Sequence, residues 1–221
     1  MNGITRKESI AALLYLPLHM LAVPWVLGII ARKTAMGSPE LNFIRYAAGA
    51  VYMLIFLGGL LRRDFDTLCD RPVKVLFQVA GSYMISLFAT AAVGLLLGMF
   101  LGGNLNNEAV IETAEENRGM TVAAAVFLAP LVEEPIFRAG VYGTLKKKNR
   151  ALAAAVSIAA FSLYHVIYYV GENTVYLLYA LQYVPASALL ISCYEQTGTL
   201  WSPIFLHMLI NAVSMGILER L

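Results

Sequence analysis

Charge is what this chain has least of. Asp, Glu, Lys and Arg make up 14% of its 221 residues, where a soluble domain carries about 25%. Hydrophobic residues reach 59% and the mean hydropathy is +0.70. Folded in water, apolar runs of roughly 20 residues would have no polar face to turn outward, which excludes a water-soluble globule. The charges nearly cancel, at +2, which argues against a nucleic-acid partner. There are only two cysteines, Cys69 and Cys193. They make no disulfide framework, lie too far apart for a metal-ligand spacing, and read as inert packing residues. No internal repeat or low-complexity linker divides the chain. What remains is an integral membrane protein: a single all-α transmembrane domain over 1–221.

Seven apolar runs predict a polytopic bundle of about seven transmembrane helices, over 9–31, 41–61, 75–103, 120–145, 151–170, 175–194 and 202–218. The first run is longer than a signal-peptide core and shows no small-x-small cleavage site, so it reads as a retained span. Pro17 and Pro24 should kink it, and His19 within it reads as a packed, hydrogen-bonded histidine rather than a ligand. Arg45 is near enough to the start of the second run to snorkel outward. Residues 62–74 read as a mixed-charge loop. Residues 104–118 read as the most polar loop, either disordered or a short surface helix. Ser202-Pro203 reads as an N-cap followed by the first residue of the last helix. The loops at 62–74 and 146–150 each hold four Lys or Arg, against one at 102–119 and none in the 171–174 turn. Basic loops face the cytoplasm, which places the N-terminus inside and the C-terminus outside; Arg6 and Lys7 agree, Arg32 and Lys33 dissent. A bacterial plasma membrane is the expected location.

Against this apolar background, ionisable groups inside a span are expensive and mark a site. Glu133, Glu134 and Arg138 interrupt the fourth run. Residues four apart share a helix face, so Glu134 and Arg138 should pair, with the acid toward the N-terminus. Glu133 is then left without a cation on its own helix, as a general base requires. Pro130 and Pro135 lack the N–H that would bond the carbonyls of Val126 and Leu131, which loosens the helix around the carboxylates. The fifth run carries Phe161 and His165 one turn apart, and the seventh carries His207 and Asn211 likewise. Either pair alone is commonly a structural hydrogen-bond device. Together, in three separate spans, they point to one polar cavity between the fourth, fifth and seventh helices.

These strings, in this order, resemble the signature of the CAAX-protease and bacteriocin-processing (CPBP, or Abi) family: EExxxR at Glu133, Glu134 and Arg138, FxxxH at Phe161 and His165, HxxxN at His207 and Asn211. The resemblance covers 120–215, a catalytic core, and leaves 1–119 as variable N-terminal spans. One departure is Ala139, where many members have glycine directly after the arginine; here Gly140 follows one residue later. The resemblance implies a glutamate-dependent intramembrane endopeptidase without a cofactor, acting on a membrane-associated peptide or protein. Glu133 and His165 would activate a water, His207 and Asn211 would stabilise the oxyanion, the Glu134–Arg138 pair would hold the site together, and Phe161 would wall the pocket. A zinc site built from Glu133, His165 and His207 also fits known ligand types and stays open as an alternative. So do two other functions: a transporter, because such clusters also relay protons, and a non-catalytic immunity or binding protein on the same scaffold.

Overall fold

The computed structural model describes residues 3–171 and 173–216; the expected turn residue Glu172 and the last residues of the run ending at 218 lie outside it. Every element among the described residues is helical. Five helices are long and apolar enough to cross a membrane: α1 (Arg6–Lys33), α2 (Ser38–Asp70), α3 (Pro72–Leu101), α5 (Arg118–Leu145) and α7 (Thr174–Thr197). The amphiphilic stretch after α3 forms α4 (Leu105–Glu116), a surface helix, and two shorter apolar helices, α6 (Arg150–Val166) and α8 (Trp201–Ser214), complete the bundle. This is the all-α, multi-pass architecture that the seven apolar runs predict. The mixed-charge loop at 62–74 is instead helix, broken only around Arg71, and the fifth run leaves the α-helix after Val166.

Asparagine sets many of the boundaries. Backbone N–H groups at the starts of α4, α5, α6 and α7 donate to the side-chain oxygens of Asn104, Asn117, Asn149 and Asn173, satisfying donors that have no partner within the helix. Helix α1 opens with a capping box between Thr5 and Glu8, and Glu8 also accepts from Arg63 at 2.8 Å, tying α1 to the end of α2. Helix α7 stops at Gly198, whose left-handed backbone (φ 75°) suits glycine. Ser202 is not the cap of α8. That helix starts two residues earlier than expected, at Trp201, where the Leu200 N–H donates 2.7 Å to the buried carboxylate of Asp64 and Trp201 N–H donates to Thr199 Oγ1. A carboxylate from α2 does the work expected of a local serine.

The basic ends gather on one side. Lys147 Nζ donates to the Ile4 carbonyl, while Arg63 reaches Glu8, so the N-terminus, the α2–α3 junction and the α5–α6 junction lie together. Helix α5 sits in the middle, against α1, α2, α6, α7 and α8, whereas α3 packs chiefly on α7 and α8. Close approach to α5 depends on two glycines. A Cβ on Gly49 of α2 would stand 2.8 Å from Val132, and one on Gly140 would stand 2.9 Å from Ala12 Cβ of α1. Ala139 beside it is fully buried, so the displaced glycine performs a packing role one residue along. Cys193 is buried with its thiol 3.3 Å from Ser82 Oγ, a packing residue as expected, whereas Cys69 is exposed.

Candidate active site within the membrane helices

Proline and a widened helical register shape the helices that carry the polar groups. Helix α1 turns π-helical over Leu18–Ala22, and α5 does so over Ala123–Leu128 and again over Pro135–Tyr142, flanking the short α-helical turn that holds Glu133 and Glu134. Such five-residue registers are rare and concentrate at functional sites. In the first, Val23 N–H donates to the Leu18 carbonyl; the next partner in register would be Pro24, which has no N–H, so the His19 carbonyl is freed. Arg45 Nη2 donates to it at 3.3 Å, and Tyr168 Oη donates 2.7 Å to the Met20 carbonyl beside it. The same device recurs in α5. Ala129 N–H donates to Ala124, Pro130 cannot continue the series, and the freed Ala125 carbonyl accepts from Asn211 Nδ2 at 2.8 Å. The carbonyl left by Pro130 and filled by a side chain is thus Ala125's, because the register is one residue wider than the α-helix that points to Val126. Arg45, rather than snorkelling outward, turns to α1.

The predicted groups converge. Glu134 Oε2 lies 3.0 Å from Arg138 Nε, both side chains fully buried. The face of the guanidinium rests on Phe161, with Cζ 4.3 Å from the ring centroid, a cation–π contact in place of further hydrogen bonds. Phe161 also touches both imidazoles, with ring centroids 4.5 Å from His165 and 5.6 Å from His207. It is the hub of the cluster, which one wall of a pocket would not require. A contact that the spacing did not suggest joins His207 to the structural pair: its Nδ1 lies 2.8 Å from Glu134 Oε1.

These bonds decide which ring atoms face inward. A carboxylate and a carbonyl can only accept, so His207 donates from Nδ1 to Glu134 and His165 donates from Nδ1 to the Phe161 carbonyl at 2.8 Å. Both rings then present Nε2 to the same atom, Glu133 Oε2, at 3.8 Å from His165 and 3.9 Å from His207. That atom is buried and has no hydrogen-bond partner in the protein. His165 is the most open of the three, its side chain 14% exposed against 3% for Glu133, and marks the approach to the site. As placed, no three His, Cys, Asp or Glu side chains among the described residues could hold a metal ion. Asn211 donates one amide proton to the Ala125 carbonyl.

The other carboxylate oxygen leads toward α2 and α1, which carry no motif. Tyr46 Oη donates 3.0 Å to Glu133 Oε1, lies 3.1 Å from Tyr164 Oη, and this hydroxyl lies 3.0 Å from His19 Nε2. His19 is thus the packed, hydrogen-bonded histidine expected. Tyrosine in an apolar run reads as a packing or interfacial residue, so neither Tyr46 nor Tyr164 stands out in the sequence; Arg45 beside Tyr46, a charge inside a span, is the available signal. Tyr183 of α7 stacks on His165, centroids 4.4 Å apart, and its hydroxyl accepts from the amides of Asn104 and Asn106.

Two carboxylates, an arginine and two imidazoles, shielded inside a multi-pass helical bundle, define a membrane protein equipped for polar chemistry in the bilayer. Residues 116–213 match the family described as Type II CAAX prenyl endopeptidase Rce1-like, and that span holds every motif residue from Glu133 to Asn211. A Bacillus subtilis (strain 168) protein named "Putative membrane peptidase YdiL" is 25% identical over 143 residues, which cover 63% of this chain and 54% of the relative. The match thus spans about half the length of that relative. No solved structure gives a significant match. Both matches agree with the CPBP family that the three motifs resemble.

Proposed function

We propose that this protein is an intramembrane endopeptidase that hydrolyses a peptide bond of a membrane-associated protein or peptide, with Glu133 as the base. The observation that carries the reading is the buried Glu133 Oε2, without a protein partner and 3.8 and 3.9 Å from two imidazole Nε2 atoms. Those separations exceed a direct hydrogen bond but match a single water oxygen bridging the groups. In this reading Glu133, assisted by His165 Nε2, takes a proton from that water as its oxygen bonds to the scissile carbonyl carbon. The carbonyl electron pair moves to oxygen. His207, carrying a proton on Nε2, and the second amide proton of Asn211 donate to this oxyanion, a role for which pre-positioned donors are effective. Collapse re-forms the C=O bond and breaks the C–N bond, and the proton held by Glu133 and His165 leaves with the amine.

Glu134 and Arg138 act on His207 and not on the substrate. Glu134 fixes the ring as the buried carboxylate of a Ser-His-Asp triad fixes its histidine, and Arg138 balances the charge of Glu134. The mechanism assigns no step to a metal. The basic junctions and the N-terminus, which share one end of the bundle, face the cytoplasm in this proposal, following the distribution of Lys and Arg.

The test uses full-length protein in phosphatidylglycerol-containing liposomes and a panel of quenched fluorescent peptides with a C-terminal cysteine motif, farnesylated or free. Wild type should cleave members of the panel, and Glu133→Gln should lower the rate by at least ~10²-fold, the scale of a lost general base. Full cleavage by Glu133→Gln, or none by wild type, overturns the proposal.

A further inference from the structure

We infer that Tyr46 is a positioning residue for the reaction: it holds Oε1 of Glu133, which leaves Oε2 as the basic atom, and is itself held by Tyr164 and His19. The inference rests on the endopeptidase reading above and extends its site into α1 and α2, which lie outside the family-matched residues 116–213.

The direction of the chain follows from what each group can do. Ionised Glu133 only accepts, so the Tyr46 hydroxyl must donate to Oε1. Having one proton, Tyr46 can then only accept from Tyr164, and Tyr164 in turn accepts from His19 Nε2–H. Three hydrogens therefore point the same way, toward the carboxylate, an arrangement in which each bond polarises the next. It also fixes the tautomer of His19, whose other ring nitrogen, Nδ1, is buried without a partner. Helix α1 presents this ring from its π-helical turn, held in place by the bonds that Arg45 and Tyr168 make to the His19 and Met20 carbonyls. Four helices thus meet in one chain of hydrogen bonds ending on the base.

The positional effect comes from the carboxylate's own softness. The terminal torsion of a glutamate is broad and nearly two-fold, so nothing local distinguishes its oxygens or fixes the carboxyl plane. Tyr46 breaks that equivalence. With Oε1 occupied, Oε2 is directed at the Nε2 atoms of His165 and His207. The tyrosine transfers no proton; it stays bonded to Oε1 while Oε2 gains and loses the proton of the water.

The liposome peptide assay tests this through the kcat and KM of Tyr46→Phe, Tyr164→Phe and the double variant. Loss of the Tyr46 donor should lower kcat by about 10–100-fold, the scale of a small misplacement of a reacting group, and leave KM within about twofold, because the hydroxyl does not touch substrate. Tyr164→Phe should have a smaller effect, and the double variant should be no slower than Tyr46→Phe, since the chain is already cut. p-Aminophenylalanine at position 46, which restores an N–H donor in place of the hydroxyl, should recover most of the rate. Should Tyr46→Phe fail to fold, Tyr164→Phe and the p-aminophenylalanine protein decide the matter by the same readouts. Wild-type kcat in Tyr46→Phe, or multiplicative losses in the double variant, overturns the role of Tyr46 and leaves the base assignment intact if Glu133→Gln is dead. Full activity of Glu133→Gln overturns both.

Discussion

Helices α3 and α5 are of similar length, 30 and 28 residues, yet they are opposite solutions to life in a bilayer. Helix α3 is the more apolar of the two, but only 6% of its apolar span is buried inside the protein, against 61% for α5. Large side chains of α3 such as Phe77, Phe88, Met99 and Phe100 are each at least 68% exposed. In water this ordering would be reversed. In lipid the outside is as apolar as the core, so burial is governed by close contact and polar satisfaction. Helix α5 is central because it carries small residues for close approach and charges that need partners.

The comparison is most directly broken by making α5 more hydrophobic. Arg138→Met keeps an apolar side chain of similar reach but removes the cation between Glu134 and Phe161. Removing one member of a buried ion pair destabilises by about 3–5 kcal/mol, because the remaining charge keeps its desolvation penalty. A large fall in the thermal unfolding midpoint of the detergent-solubilised protein is expected, despite the gain in hydropathy. An unchanged midpoint would mean that charge pairing does not hold α5 in place.

A second break concerns size alone. Gly140→Val adds no polarity, but its Cβ would stand 2.9 Å from Ala12 Cβ, which sits on the α1 backbone and cannot swing aside. Overpacking of this kind costs about 1–3 kcal/mol. The same change at Gly81 or Gly98 of α3, where a Cβ meets no atom within 4 Å, should leave the midpoint unmoved.

The contrast also explains what could be read in advance. Glu133, Glu134, Arg138, His165 and His207 were legible because ionisable groups stand out in apolar runs, and helical spacing sorted Glu134 with Arg138. The hydrogen bond from His207 to Glu134 was not legible, since spacing within one helix says nothing of which residue from another helix completes the pair. Nor was the widened register: Pro130 frees a carbonyl in any helix, but only the observed hydrogen bonds show that it belongs to Ala125 and that Asn211 fills it. The start of α8 depended likewise on Asp64, 136 residues away from Leu200, and Tyr46 lies 87 residues from the carboxylate it binds. Local chemistry announces itself in the sequence; partners brought together by the fold do not.

The finest test places one substitution on both helices. Phe137 of α5 is fully buried, its ring 5.3 Å from that of Phe161 and 5.6 Å from that of Tyr164. Phe88 of α3 is 68% exposed. Phe→Leu removes the same atoms at both positions and leaves both side chains apolar. At Phe137 it forfeits two edge-to-face contacts and opens space beneath the ring that supports Arg138, for a loss of about 1 kcal/mol. At Phe88 lipid fills the space, and the change should stay within about 0.5 kcal/mol, as for substitutions away from close contacts. Unfolding midpoints of the two variants, measured side by side in one detergent, should therefore separate. Equal shifts would show that α3 is covered by protein, and that its exposed aromatic face belongs to a larger assembly.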